Sequence, residues 1–71
     1  MKKITTLGQL LKTFRVRKAL TQAEMANLLD VNRITYWRIE NGKGKTSLAT
    51  LKKIAKSLEK DIEEITSYKG A

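Results

Sequence analysis

The chain has no cysteine, no histidine and no proline, and its aromatic residues are one Trp, two Tyr and one Phe. Without cysteine or histidine there is no disulfide, no His/Cys metal site and no imidazole for acid–base work, a pattern that fits a reducing cytoplasm. Acidic residues are also scarce. Seven Asp and Glu against fifteen Lys and Arg leave a formal charge of +8. Such a field favours polyanions: DNA, RNA or an anionic membrane surface. No apolar run approaches the roughly 20 residues that span a bilayer. The start, MKKITTLG, carries two lysines but no stretch apolar enough for a secretory signal. Seventy-one residues allow one domain, 1–71, with a core near the lower limit for folding unaided.

What is present is helical periodicity. There are no repeats and no useful strand-like alternation, and the pattern predicts an all-α fold of five short helices with a core over residues 6–66. Residues 1–5 read as a loose basic start. Thr6 and Gln9 form a capping box, in which each side chain takes up an unpaired N–H at the helix start. Leu7, Leu10, Leu11 and Phe14 follow at helical spacing to about Lys18. Gly8 lies in the first turn, where it costs little. Arg15 falls beside the buried stripe, where a charge wants a partner, and Glu40 is the candidate.

Thr21 and Glu24 make a second capping box, with Met25, Leu28 and Leu29 as the following stripe. After Asp30 and Val31, Asn32 caps a third helix. The small Ala26 lets the two helices cross closely over their short connection. In the third helix Tyr36 and Ile39 share Val31's inward side, leaving Arg33, Ile34, Trp37 and Arg38 outward. A solvated surface has no need of that combination. A helix in the major groove does, because guanine edges take donors and thymine methyls take apolar groups. For Ile34 the alternative is a merely exposed apolar residue. For Trp37 the alternatives are packing beside Tyr36, the sugar–phosphate backbone or a protein partner.

Residues 41–46, NGKGKT, form a basic loop in which Lys43 and Lys45 flank Gly44. They read as a phosphate clamp beside the third helix or as an ordinary polar loop. Ser47 caps a fourth helix whose face is Leu48, Leu51, Ile54, Ala55 and Leu58, with Lys52, Lys53 and Lys56 opposite. The acidic cluster of the chain, EKDIEE at 59–64, reads as a helix start rather than a catalytic pair. Asp61 and Glu64 begin that helix, Ile62 and Ile65 point inward, and 67–71 read as a frayed tail.

This arrangement resembles the phage-repressor and Cro-type helix-turn-helix family, lambda-repressor-like five-helix DNA-binding domains with the motif in helices two and three. The matching residues are Thr21, Gln22, Glu24, Met25, Ala26, Leu29, Val31, Tyr36, Ile39, Glu40, Asn41 and Gly42, followed by SLATLKKIAKSL. The resemblance implies that Asn32, Arg33, Ile34, Trp37 and Arg38 contact bases. It also implies that Gln22 holds a phosphate and that Arg15 pairs with Glu40. Thr21, Thr35, Lys43 and Lys45 are further phosphate candidates. The chain departs from the family pattern at Ala19, Asp30 and Glu59, where glycine is frequent, at Thr46, where proline is common, and at Trp37, where a smaller residue is usual.

The expected function is a sequence-specific double-stranded DNA-binding transcriptional regulator, a repressor on a palindromic operator, cytoplasmic and nucleoid-associated. A weak homodimer would use Ile62, Ile65 and Tyr68 near helix five. The alternatives are an antitoxin-type partner of a toxin with autoregulatory DNA binding, and a protein-interaction or RNA-binding helical module. With no His, Cys or phosphate-binding glycine loop, no catalytic constellation, metal or cofactor is expected.

Overall fold

Four of the five helices start where a side chain takes up a free N–H group, and the sequence places those starts. The computed structural model describes residues 4–71 and comprises α1 (Leu7–Arg17), α2 (Gln22–Leu28), α3 (Arg33–Glu40), α4 (Leu48–Leu58) and α5 (Ile62–Thr66). Thr6 and Thr21 head complete capping boxes with Gln9 and Glu24. Asn32 and Ser47 accept from the N–H groups of Thr35 and Thr50. Asp61 departs from expectation: it occupies the cap position of α5 without a side-chain hydrogen bond. Glu64 instead pairs with Lys60 at 2.9 Å. Glu63 and Glu64 in the first turn still suit the positive end of the helix dipole.

The helix ends share one device. Leu20, Val31, Lys43 and Lys60 each donate a backbone N–H to the carbonyl five residues earlier, closing α1, α2, α3 and α4 in the same way. This is the Schellman closure, and it puts the residue before each donor in the left-handed region. Those residues are Ala19, Asp30, Gly42 and Glu59, with φ of +55°, +54°, +68° and +56°. Gly42 suits that conformation and Asp30 tolerates it, whereas Ala19 and Glu59 carry its strain.

Leu7, Leu11, Met25, Ala26, Leu29, Tyr36, Ile54 and Ile65 lie at the centre of the core, each at most 2% exposed. Two residues assigned to apolar stripes are outside it. Leu28 is 49% exposed, because α2 turns Met25, Ala26 and Leu29 inward and Leu28 falls off that arc. Leu48, at 59%, sits in the first turn of α4, outside the buried Leu51–Ile54–Ala55–Leu58 stripe. Ile65 corrects the proposed dimer surface. It is fully enclosed by the core, so it has no surface to give a partner, whereas Ile62 and Tyr68 are half-buried.

The C-terminus is not frayed. Leu7 donates to Lys69 O at 2.8 Å and Lys69 donates to Thr5 O at 3.1 Å, an isolated parallel bridge that ties the two ends together. Tyr68 and Ala71 pack against the core, and Thr46 Oγ1 donates to Gly70 O at 3.3 Å. The loose N-terminal start is corrected for Ile4 and Thr5, which join this arrangement. Residues 1–3 lie outside the described residues. Lys53 also has more than a solvated role: its Nζ donates to Asp30 O at 3.0 Å, tying α4 to the α2–α3 turn.

Candidate nucleic-acid interface

The orientation of α3 is set from within by one carboxylate. Glu40, whose side chain is 6% exposed, accepts from Arg15 Nε at 3.0 Å and Arg15 Nη2 at 3.1 Å. This bidentate pair joins the last turn of α3 to α1, and Arg15 Nη1 also donates to Leu20 O at 3.0 Å. Gln22 Nε2 donates to Glu40 Oε1 at 3.2 Å, and the Tyr36 hydroxyl donates to Glu40 Oε2. Every polar side-chain atom buried in this arrangement has a partner.

The titration of the group follows from these contacts. Burial alone would raise the Glu40 carboxyl, but hydrogen bonds from Arg15, Tyr36 and Gln22 outweigh it and hold the group below the usual carboxylate range. Burial, with the adjacent Glu40 carboxylate, pushes the Tyr36 hydroxyl well above its ordinary value. The hydrogen bond to Glu40 likewise raises Arg15. At neutral pH this clamp therefore holds an ionised Arg15–Glu40 pair while Tyr36 keeps its proton.

Glycine supplies the close approach that this clamp requires. A β-carbon on Gly8 would overlap the main-chain carbonyl oxygen of Glu40 and lie 2.9 Å from that of Ile39. Sequence reasoning gave Gly8 only tolerance in a first turn. Its position against another helix is a tertiary fact with no local signature.

On the outer side of α3, Asn32, Arg33, Ile34, Trp37 and Arg38 are all exposed, while Tyr36 and Ile39 are buried. Arg33, Ile34 and Trp37 come together with Gln22 around an open hollow of ≈ 460 Å³. A second hollow, of ≈ 260 Å³, gathers Thr35, Arg38, Lys43 and Lys45 with Thr46, Ser47 and Thr50. Of these hydroxyl residues of the α4 start, Ser47 reads in the sequence only as a helix cap and Thr46 only as a departure from the family pattern, and Thr50 carries no sequence signal. The signal for Thr46 and Ser47 as site residues lies in the run KGKTS, cations followed directly by hydroxyl groups at a helix start.

Three of the site residues are partly occupied. Asn32 Oδ1 accepts from Thr35 N at 2.7 Å, so its amide N–H groups are what it has free to offer. Gln22 spends one amide hydrogen on Glu40 and keeps the other. Thr21 Oγ1 accepts from Glu24 N at 3.1 Å and retains its own proton as a donor. The arrangement presents an exposed helix face bearing donors and apolar groups, with the lysines of residues 43–45 gathered beside its Arg38 end. Among the described residues no group of His, Cys, Asp or Glu stands together as a metal site, and no helix is long and apolar enough to cross a membrane.

Residues 11–65 match a family model described as helix-turn-helix. The structure is similar to the solution structure of the DNA-binding domain of the P22 C2 repressor, residues 1–76, with a TM-score of 0.75. That likeness covers 99% of this chain and 92% of the other at 13% identity, so it is a likeness of fold. No curated protein matches the sequence significantly.

Proposed function

From the premise that the chain belongs to the helix-turn-helix family of Cro and C1 type, whose members are DNA-binding regulators, we propose that it is a sequence-specific repressor reading duplex DNA through α3. The observation that carries this reading is the exposed Arg33–Ile34–Trp37–Arg38 face, whose first three residues share a hollow with the Gln22 amide and whose Arg38 shares another with Lys43, Lys45 and hydroxyl residues. Donors and apolar groups on one helix match the edges of the major groove, and the lysines of the adjoining loop match the phosphates that border it.

In this reading Arg33 and Arg38 supply base or phosphate contacts, and Asn32 donates its amide N–H. Ile34 and Trp37 face the bases. Lys43, Lys45 and Thr35 hold one phosphate strand, and Gln22 and Thr21 hold the other. Glu40 acts behind the surface by fixing Gln22 and the end of α3. The protein acts as a homodimer completed on DNA, with half-sites about one helical turn, ~34 Å, apart. With Ile65 buried, Ile62 and Tyr68 leave only a small apolar area for pairing, which suits a dimer that DNA must complete.

Selection from a random duplex library at near-physiological salt tests the reading. Retention of a palindrome with arms one turn apart is the expected result. A retained sequence without a repeated arm would remove the dimer, and retention without any sequence preference would remove sequence-specific regulation.

A further inference from the structure

A third hollow, of ≈ 380 Å³, lies between α1, the end of α4 and the C-terminal segment, and shares no residue with the two beside α3. Its floor is apolar: Ile4, Phe14 and Tyr68 are half-buried there and Leu58 is buried. Its edge is cationic, with Arg17, Lys18 and Lys60, and no carboxylate of the described residues lines it. Lys60 is paired with Glu64 at 2.9 Å. Arg17 and Lys18 are exposed and make no ion pair among the described residues. Lys18 Nζ stands 5.6 Å from the centroid of the Phe14 ring, so its charge is held against the apolar floor.

We infer that this hollow is a ligand site for a small organic anion, a carboxylate on an apolar body, whose charged end is held by Arg17 and Lys18. Its volume falls within the range of small-molecule sites, about 300–1,000 Å³, and a mainly apolar lining with a few convergent polar groups is their pattern. A purely apolar occupant would strip water from the cations and leave them without a partner. A bare phosphate would pair the cations but leave the hydrocarbon floor in water. A second copy of the chain fits poorly, because a two-fold contact sets one patch against itself. Arg17 and Lys18 of both copies would then face each other, and like charges so placed repel. Tyr68 alone is shared with the surface proposed for pairing on DNA. An amphiphilic carboxylate satisfies floor and edge together.

The test titrates the isotope-labelled full chain with octanoate and follows its backbone amides by NMR, with octanol as the uncharged probe and acetate as the tail-less one. Octanoate is expected to give saturable shifts at Phe14, Arg17, Lys18 and Tyr68, with α3 unmoved, and acetate none. Octanol should bind about tenfold more weakly, which is about 1.4 kcal/mol shared between two exposed charge contacts. In the double variant Arg17→Gln, Lys18→Gln the octanoate affinity should fall by the same factor to that of octanol, and octanol should bind as before. Both side chains are exposed, so the variant leaves the fold intact. Absence of saturable shifts overturns the inference, as do equal affinities for octanoate and octanol or a double variant as tight as wild type. Movement of the Arg17 and Lys18 amides with protein concentration alone also overturns it, giving the face to a second copy. No DNA enters the measurement, so its failure leaves the reading of α3 untouched.

Discussion

Gly8 of α1 lies directly under the main-chain carbonyl of Glu40 at the end of α3, so close that a β-carbon would overlap the oxygen. The obstacle is backbone, which cannot rotate away as a side chain can. Gly8→Ala must push α1 and α3 apart, and overpacking of this kind costs about 1–3 kcal/mol. Urea unfolding should show a lower midpoint with an unchanged slope. DNA affinity should fall as well, because the displaced element carries the reading face. An unchanged midpoint would mean that the two helices are not held this close.

The clamp at Glu40 predicts a pH dependence at both ends of the scale. The folded state depresses the Glu40 carboxyl, so its stabilisation is present above the unfolded value of about 4.3 and lost as pH falls below it. The stability gap between wild type and Glu40→Gln should therefore shrink between neutral pH and acid. Tyr36 is raised, so its contribution is present below about pH 10 and lost above. The gap between wild type and Tyr36→Phe should shrink at alkaline pH. Removing the other partner, Arg15→Ala, should cost about 2–3 kcal/mol, since it leaves a mostly enclosed carboxylate without its cation. Unfolding titrations of the three variants across pH check all of these.

Ala19 and Glu59 hold the left-handed position at helix ends without being glycine. A residue with a β-carbon is strained there by about 1–2 kcal/mol, and glycine gives back part of the gain as unfolded-chain entropy. Ala19→Gly and Glu59→Gly should each stabilise the protein by about 0.5–1 kcal/mol. Thermal unfolding reads this as a rise in midpoint. A fall would show that the helix ends adopt another closure.

Much of this architecture is written locally in the sequence. Thr6–Gln9, Thr21–Glu24, Asn32 and Ser47 announce helix starts because capping needs only residues three apart. The outward turn of Arg33, Ile34, Trp37 and Arg38 follows from helical period and the buried partners Tyr36 and Ile39. The Arg15–Glu40 geometry was accessible through charge burial. What was not legible is what depends on pairing between distant segments. The Thr6–Lys69 bridge leaves no periodic signal, so residues 67–71 read as loose. Leu48 fits the spacing of the α4 stripe yet stays exposed, because spacing says nothing about what stands opposite a first turn. Ile65 shows the converse: apolar and inward, it is wholly spent on the core and leaves nothing for a second subunit. Within the candidate interface, the hydrogen bonds of Glu40 to Gln22 of α2 and to Tyr36 of its own helix have no signal in the sequence.

Phosphate and base contacts separate by their response to salt. If about six phosphates are contacted, the log–log slope of affinity against salt should be about −5. Lys43→Ala and Lys45→Ala should each reduce the slope by about 1 and weaken all sequences alike. Arg33→Ala should instead relax the preference at a particular base. Titrations on selected and scrambled duplexes at several salt concentrations distinguish these patterns, and a salt-independent affinity would contradict the model.

The most direct test of α3 as a major-groove reader is dimethyl sulfate protection on the selected duplex. The reagent methylates guanine N7 in the major groove and adenine N3 in the minor groove, so one experiment reports both sides of the helix. The account predicts protection of guanine N7 in two clusters about one turn apart on one face, with adenine N3 left reactive and part of the protection lost in Arg33→Ala. Protection confined to adenine N3, or guanine N7 as reactive in the complex as in free DNA, would contradict it.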